Sequence, residues 1–188
     1  GQKILGTFAD REVVFEEDGQ EVFRTTFSEL GYSLDEASLK TELVNLQAQR
    51  EAERRVFSVE EDFKLPYQVV KNQEQEKAVL VSGNFGDKER TASSDAYVQY
   101  DENAKEFVAV NESQGNQIDE ARLLTYVSQT LDDAILKDPL GGDVEITLGT
   151  EVYRQPVKAD SETIQTKLKD LNGQLETYRN ASVTYTFG

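Results

Sequence analysis

Apolar and polar residues alternate in two stretches of the chain, and each stretch is interrupted by a turn signal. The first stretch, REVVFEEDGQEVFRTTF (residues 11–27), contains an Asp-Gly pair. The second, DAYVQYDENAKEFVAV (residues 95–110), has Asn103 near its midpoint. Short β-rich runs on both sides of such a turn are the signal for a β-hairpin. The pattern therefore predicts two hairpins.

A helical spacing of apolar residues follows each hairpin. The two predicted stripes are Ala37, Leu39, Leu43 and Leu46 in the first copy and Ala121, Leu124, Val127 and Leu131 in the second. Recurrence at three and four residues is typical of an amphipathic helix. Ser33 and Glu36 match a capping box before the first helix, and Asn116 with Asp119 forms a weaker version before the second.

A third helix and several further strands complete the predicted elements. The helix lies within residues 159–180, with Asp160 as its N-cap and an apolar face that includes Ile164 and Leu168. Strands are predicted in DFKLPYQVV (62–70), AVLVS (78–82), DVEITLGTEVYRQPV (143–157) and SVTYTFG (182–188). Both chain ends have a strand-like character, and we expect an excised fragment of a longer protein.

The two hairpin–helix stretches align without a gap when the chain is shifted by 84 residues. Seven of 27 aligned positions are then identical, including Gly31 with Gly115 and Asp35 with Asp119. A glycine before a capped helix usually adopts a positive φ. We therefore predict an α+β fold of two tandem related modules, residues 1–78 and 79–188. Each has a hairpin, a helix and further strands, with antiparallel or mixed sheets and helices on one face.

The charge balance narrows the class of partner. The formal net charge is -16 over 188 residues, and the acidic residues are spread along the chain. Nucleic acid and anionic membrane surfaces need a basic face, so neither is expected as a partner. A cationic or amine-bearing partner is compatible with this charge, although such a charge also serves solubility alone.

The residue types present exclude several kinds of catalysis. The chain contains no His and no Cys, which removes Ser-His-Asp and Cys-His arrangements and the usual zinc ligands. No phosphate-binding loop or calcium loop is present either. Carboxylate pairs could cleave sugars, but with 36 acidic residues no pair stands out. We expect no catalytic residue, no metal and no cofactor in this region.

The order of motifs in the second half resembles the peptidoglycan-binding, YoaR/VanW-like module that precedes the catalytic domain of Gram-positive L,D-transpeptidases. The motifs that carry the resemblance are Asp95-Ala96 opening a strand, the phrase Glu112-x-x-Gly115-Asn116, the helix entry Ile118-Asp119 and the final VTYTFG. The resemblance covers residues 93–188, and the first copy lacks the Asn after Gly31.

The resemblance implies a non-catalytic, extracellular, wall-binding region of a membrane-anchored enzyme. Peptidoglycan and a C-terminal catalytic domain of the same chain would be its partners, without membrane contact by this region. Candidate ligand-binding residues are Glu112, Asn116, Tyr97 and Tyr100. A spacer or protein-interaction module without glycan affinity is the alternative, and a free-standing secreted enzyme is a third hypothesis.

Overall fold

The computed structural model describes residues 2–53, 68–82, 85 and 89–181. It has the α+β class that the sequence predicts. The elements in chain order are α1 (Gln2–Ala9), β1 (Glu12–Glu17), β2 (Gln20–Thr26), β3 (Tyr32–Leu34), α2 (Glu36–Glu53), β4 (Val69–Lys71), α3 (Gln73–Ser82), β5 (Tyr97–Asp101), β6 (Glu106–Val110), α4 (Glu120–Lys137), β7 (Val144–Leu148) and α5 (Glu162–Arg179). They form two compact units, one of residues 1–88 with 120–152 and one of residues 89–119 with 153–188.

The first unit is built around a three-stranded sheet in the order β2-β1-β7. β1 and β2 form the predicted antiparallel hairpin, in which Asp18 and Gly19 have φ values of 53° and 75°. Two positive φ values suit a two-residue hairpin turn, where the backbone twist matches that of the strands. β7 lies on the other side of β1 in parallel, with Val13 opposite Val144. β1 is therefore the central strand.

Apolar side chains of this sheet and of the helices around it form the core of the first unit. Val13 and Phe15 on β1 are fully buried, and Ile146 on β7 is almost so. The helix α4 packs against β7 and α3, and buries a stripe at helical spacing. The members of this stripe are Leu123, Val127, Leu131 and Ile135.

A second pairing in the first unit joins β3 to β4 in antiparallel fashion. The chain then continues into α3, which covers residues 73–82. The prediction of a strand at residues 78–82 is therefore wrong. A short apolar run can belong to either element, and here Leu80 is buried as part of a helix. The chain start, expected to be strand-like, is also helical in α1.

The second unit contains the predicted β5–β6 hairpin and the helix α5. The side chain of Asn172 on α5 binds the backbone of Phe107 on β6 twice. Its Oδ1 accepts from the Phe107 N–H at 2.8 Å, and its Nδ2 donates to the Phe107 carbonyl at 2.9 Å. The amide side chain thus occupies the place of a neighbouring strand, and it satisfies two edge groups of β6.

Helices and strand pairs recur at a spacing of 84 residues, but the compact units do not divide the chain at that spacing. α2 begins at residue 36 and α4 at residue 120, and both have 18 residues. The pair Leu34–Val69 in the first copy corresponds to the bridge Ile118–Tyr153 in the second. However, residues 120–152 belong to the first compact unit, so the units do not follow a division at residue 78. The tandem modules 1–78 and 79–188 stay a prediction.

Two helix caps differ from the predicted ones. Asp35 rather than Ser33 precedes α2, and its carboxylate accepts from the Ala37 N–H and the Ser38 hydroxyl. Ser161 rather than Asp160 caps α5, because its hydroxyl accepts from the Ile164 N–H. In both cases the side chain nearest the first free N–H groups takes the role. The predicted strand at residues 182–188, and residues 62–67 of another, lie outside the described residues.

We predict that Asn172→Ala destabilises the second unit by about 1–3 kcal/mol, because two part-buried backbone groups of Phe107 lose their partner. Urea unfolding measures the change in the free energy of unfolding, and hydrogen exchange of the β6 amides measures the local effect. Gln174→Ala removes an exposed side chain from the same helix and serves as the matched control. It should change stability by no more than about 0.5 kcal/mol. Equal effects of the two variants would contradict the role assigned to Asn172.

Candidate functional site

Three of the six predicted site residues of the second copy, Glu112, Gly115 and Asn116, lie at one loop junction in the second unit. We define the loop junction as residues 90–96, 112–118 and 153–159. Backbone hydrogen bonds join its three segments. Ser94 and Ser113 exchange two bonds of 3.0 Å, and the Ala96 N–H donates to the Val157 carbonyl at 2.9 Å. Because these bonds fix the backbone, polar side chains in the junction are held in place.

Glu112 connects two segments of the loop junction. One carboxylate oxygen accepts a hydrogen bond from the backbone N–H of Ala159 at 2.9 Å. This bond holds the pKa of the Glu112 carboxyl below its ordinary value, and the nearby Lys158 acts in the same direction. Hydrogen bonding to a carboxylate favours its charged form. The side chain is therefore ionised, and one of its two oxygens is already hydrogen-bonded within the protein.

Asn116 connects the same loop to the segment that leads into β5. Its Oδ1 accepts from the Thr91 N–H at 2.6 Å, and its own N–H donates to the Thr91 carbonyl at 2.9 Å. The Asn116 carbonyl accepts from the Arg90 guanidinium at 2.8 Å. Asn side chains commonly bind backbone groups in loops. The observed contacts of Asn116 thus stabilise the loop rather than point to a ligand.

The two predicted glycines are constrained for different reasons. Gly31 has a φ of 84°, a conformation that other residues adopt only with strain. Gly115 instead packs directly on backbone, since a Cβ placed there would lie 2.6 Å from the Ala92 carbonyl carbon and from the Ser93 nitrogen. Only glycine allows so close an approach between two segments of the loop junction.

Tyr97 and Tyr100, the other two ligand candidates, lie on β5. Their side chains are 53% and 40% exposed. Residues three apart on a strand point to opposite faces, so the two rings do not form one platform. The Tyr100 ring contacts the Phe107 ring edge-on at 5.3 Å between centroids. The Tyr97 hydroxyl lies 3.5 Å from the Gln99 side-chain oxygen, and its ring is the more open of the two.

Asp35 and Asp119 occupy equivalent places before α2 and α4. The Ser38 hydroxyl, followed by the Ala37 N–H, holds the pKa of the Asp35 carboxyl below its ordinary value. A carboxylate at this position also interacts favourably with the helix dipole. Asp119 directly precedes Glu120, the first residue of α4. Both residues therefore have positions that suit helix initiation.

A buried polar cluster in the first unit was not predicted from the sequence. The Tyr32 hydroxyl donates to a carboxylate oxygen of Glu76 at 2.8 Å, and lies 3.4 Å from the Ser128 hydroxyl. Tyr32 is 1% exposed and Glu76 is 5% exposed. The three residues come from β3, α3 and α4, which are far apart in sequence. No short motif relates them, so only the folded chain brings them together.

Burial and the neighbouring polar groups shift the pKa of Glu76 in opposite directions. Burial raises the pKa of Glu76 above its ordinary value, whereas the Tyr32 hydroxyl and the Lys71 ammonium group act in the other direction. Lys71 also pairs with Asp132 and lies 5.5 Å from the centre of the Tyr32 ring. Burial likewise raises the pKa of Tyr32. The burial of both side chains favours a structural role in joining β3, α3 and α4.

Within the described ranges, no group of three or more His, Cys, Asp or Glu residues is placed to hold a metal ion. The helices of those same ranges include none with the length and apolar character needed to cross a membrane. Comparison with protein-family models, with curated proteins and with solved structures found no match to this chain.

We predict that Gly115→Ala destabilises the second unit by about 1–3 kcal/mol or more, because the added Cβ overlaps backbone in the loop junction. Gly173→Ala is the matched control, since nothing lies within 4 Å of a Cβ at that position in α5. This control should raise stability by about 1 kcal/mol through helix propensity. Thermal unfolding of the two variants measures the difference, and a stabilising Gly115→Ala would contradict the packing described here.

We predict that Glu76→Gln changes how stability depends on pH. The folded pKa of Glu76 is raised, so the folded protein holds this proton more tightly than the unfolded chain does. Wild-type stability is therefore lost as pH rises from about 4.3, the ordinary value of Glu, through the folded pKa. Gln lacks this titration and can still accept from Tyr32. The stability of the variant relative to the wild type should thus increase with pH across that window.

Urea unfolding at several pH values between 4 and 8 tests this difference. Glu74→Gln removes an exposed carboxylate from the same helix and is the matched control. It should alter stability by no more than about 0.5 kcal/mol at each pH. A Glu76→Gln variant whose stability relative to the wild type falls with rising pH would refute the raised pKa.

Proposed function

We propose that this protein is the non-catalytic, peptidoglycan-binding or positioning region of an exported L,D-transpeptidase-type enzyme. In this proposal the region works outside the cell, at the wall of a Gram-positive bacterium. It holds a C-terminal catalytic domain of the same chain near its substrate, and a membrane anchor lies elsewhere in the protein. The proposal rests on the motif order around Glu112, Gly115 and Asn116 and on the exposed Tyr97 ring of β5.

The single observation that best supports glycan binding is the exposure of Tyr97, whose side chain is 53% accessible on β5. An open aromatic ring beside a polar side chain offers a flat apolar surface and a hydrogen-bonding group together. Sugar rings likewise combine an apolar face with hydroxyl groups that form hydrogen bonds. The Tyr97 ring and the neighbouring Gln99 amide would therefore be the first contacts with a glycan strand.

Net charge supports the same class of ligand. The formal charge of -16 attracts the free amines that peptidoglycan stem peptides carry. Single exposed ion pairs contribute only about 0–1 kcal/mol each. Binding would therefore be weak at one site and would depend on many contacts along a polymer. A weak, multivalent interaction suits a region that positions an enzyme without trapping it.

A spacer or protein-interaction module without glycan affinity is the second candidate function. The contacts of Glu112 with Ala159 and of Asn116 with Thr91 favour it, because they give both side chains a role within the fold. Of the four ligand candidates, Tyr97 and Tyr100 then have the side-chain exposure that recognition of a glycan requires. The two functions differ in whether the exposed rings contact a ligand.

We predict that the protein co-sediments with purified peptidoglycan sacculi, more strongly at low than at physiological salt, because salt screens attraction between exposed charges. Tyr97→Ala should lower the affinity for sacculi about tenfold, which corresponds to the loss of one aromatic contact of about 1.4 kcal/mol. Tyr100→Ala should have a smaller effect, because that ring already packs on Phe107. Quantitative pull-down at two salt concentrations provides the measurement.

Tyr178→Ala is the matched control, since this ring is 79% exposed and lies on α5 rather than on β5. Its retention should equal that of the wild type. Absence of retention of the wild type at both salt concentrations would refute glycan binding and favour the spacer function. Equal losses for Tyr97→Ala and Tyr178→Ala would refute the assignment of the contact to β5.

A further inference from the structure

The hydrogen bonds of Phe107 determine which backbone groups of β5 face away from β6. Both the N–H and the carbonyl of Phe107 are bonded to Asn172, so they point away from β5. Phe107 is paired with Tyr100, and Ala109 with Val98. In an antiparallel ladder, pairs that exchange hydrogen bonds alternate with pairs that do not. Val98 and Tyr100 therefore direct their N–H and carbonyl groups to the outer edge of β5.

The start of this outer edge already has a backbone neighbour. The N–H of Ala96, which has the same parity as Val98 and Tyr100, donates to the Val157 carbonyl at 2.9 Å. Along the described residues, β6 is the strand paired with β5. The strand YVQYD contains no Lys and no Pro, the residues that natural proteins often use to protect an edge. The edge thus has the character of a template for strand addition.

The first unit indicates what such an edge accepts. There β1 occupies the position equivalent to β5, and β7 lies in parallel along the side of β1 that faces away from β2. Val13 pairs with Val144, and a shift of 84 residues places Tyr97 where Val13 stands. Side chains of β7 are alternately buried and exposed, with Val144, Ile146 and Leu148 inside. The residues of β1 are largely buried, whereas those of β5 are more exposed.

We propose that the outer edge of β5 is a docking site for an extended segment of a second protein molecule, which adds as a parallel β-strand. The backbone groups of Val98 and Tyr100 bind the incoming strand, as in other cases of strand addition. Apolar side chains at alternate positions of the partner, in the manner of β7, supply the specificity. The site would extend the two-stranded β5–β6 ribbon to the three-stranded arrangement of the first unit.

Charge at one end of β5 defines the partner further. Asp101 ends the strand, and Glu102 and Glu106 lie beside the same turn. A strand that runs parallel to β5 places its C-terminal end next to these acidic residues. We therefore expect a partner segment with Lys or Arg near its C-terminal end, because like charges at adjacent strand positions are destabilising. An acidic end would bind more weakly.

Residue-resolved amide hydrogen exchange on the whole chain tests the proposal. The probe is a synthetic peptide with the β7 sequence GDVEITLGT and two lysines added at its C-terminal end. In the free protein the amides of Val98 and Tyr100 should exchange rapidly, and saturating peptide should slow them at least tenfold. Readout at these two amides distinguishes binding at β5 from exchange of the peptide into the first unit. Protection of both amides before the peptide is added would overturn the proposal, as would no change after it.

Two proline variants of one strand pair provide the matched comparison. Val98→Pro removes an N–H from the outer edge of β5, whereas Ala109→Pro removes the corresponding N–H from the opposite edge of the same hairpin. Peptide affinity, measured by fluorescence anisotropy, should fall at least tenfold for Val98→Pro and less than threefold for Ala109→Pro. Equal affinities in the two variants would overturn the proposal. The exchange experiment on the wild type decides the question if either variant fails to fold.

Discussion

The parallel pairing of β1 with β7 is the contact on which the first unit depends. It joins residues 13–17 to residues 144–148, so two segments that are far apart in sequence must meet before the three-stranded sheet can form. This pairing makes β1 a central strand, and Val13 and Phe15 on that strand are fully buried. The loss of chain entropy on joining such distant segments is offset by burial of apolar area, roughly 25 cal/mol per Å². The helix α4 then has a sheet to pack on.

The second unit is held together in a different way. Its described residues form one hairpin and one long helix, and hydrogen bonds from polar side chains join these elements and the loops between them. Asn172 binds the backbone of β6, while Glu112 and Asn116 connect the segments of the loop junction. Gly115 permits the close contact between two of these segments. Such a unit leaves more of its strand surface exposed, and this exposure underlies both the proposed glycan contact and the proposed strand addition.

The two proposals use different features of the same hairpin. Glycan binding depends on the open face of Tyr97, whereas strand addition depends on backbone groups at the edge of β5. An aromatic side chain on a sheet face does not prevent a strand from pairing at the sheet edge. The two partners could therefore bind the same hairpin through separate surfaces, and a change at one surface need not affect the other.

Local sequence patterns were enough to predict most of the individual helices and strands and the α+β class. Both hairpins and the three 18-residue helices α2, α4 and α5 follow from alternation, helical spacing and turn residues, because these signals act between neighbours in the chain. The caps were placed two residues and one residue away from those observed, and residues 78–82 were assigned to the wrong element, since a short apolar run has no period of its own. The candidate residues Glu112 and Asn116 were found as a motif, but their contacts with Ala159 and Thr91 were not.

The grouping of these elements into compact units is visible in the folded chain and not in the local patterns. Residues 120–152 continue the second repeat in sequence, yet they complete the sheet and core of the first unit. The hydrogen bond between Tyr32 and Glu76 and the two hydrogen bonds between Asn172 and Phe107 likewise join residues that no motif relates. Local preferences specify the direction in which each side chain points along a helix or strand. The choice of neighbour is decided by the burial and hydrogen bonding of the whole chain, which a single stretch of sequence does not contain.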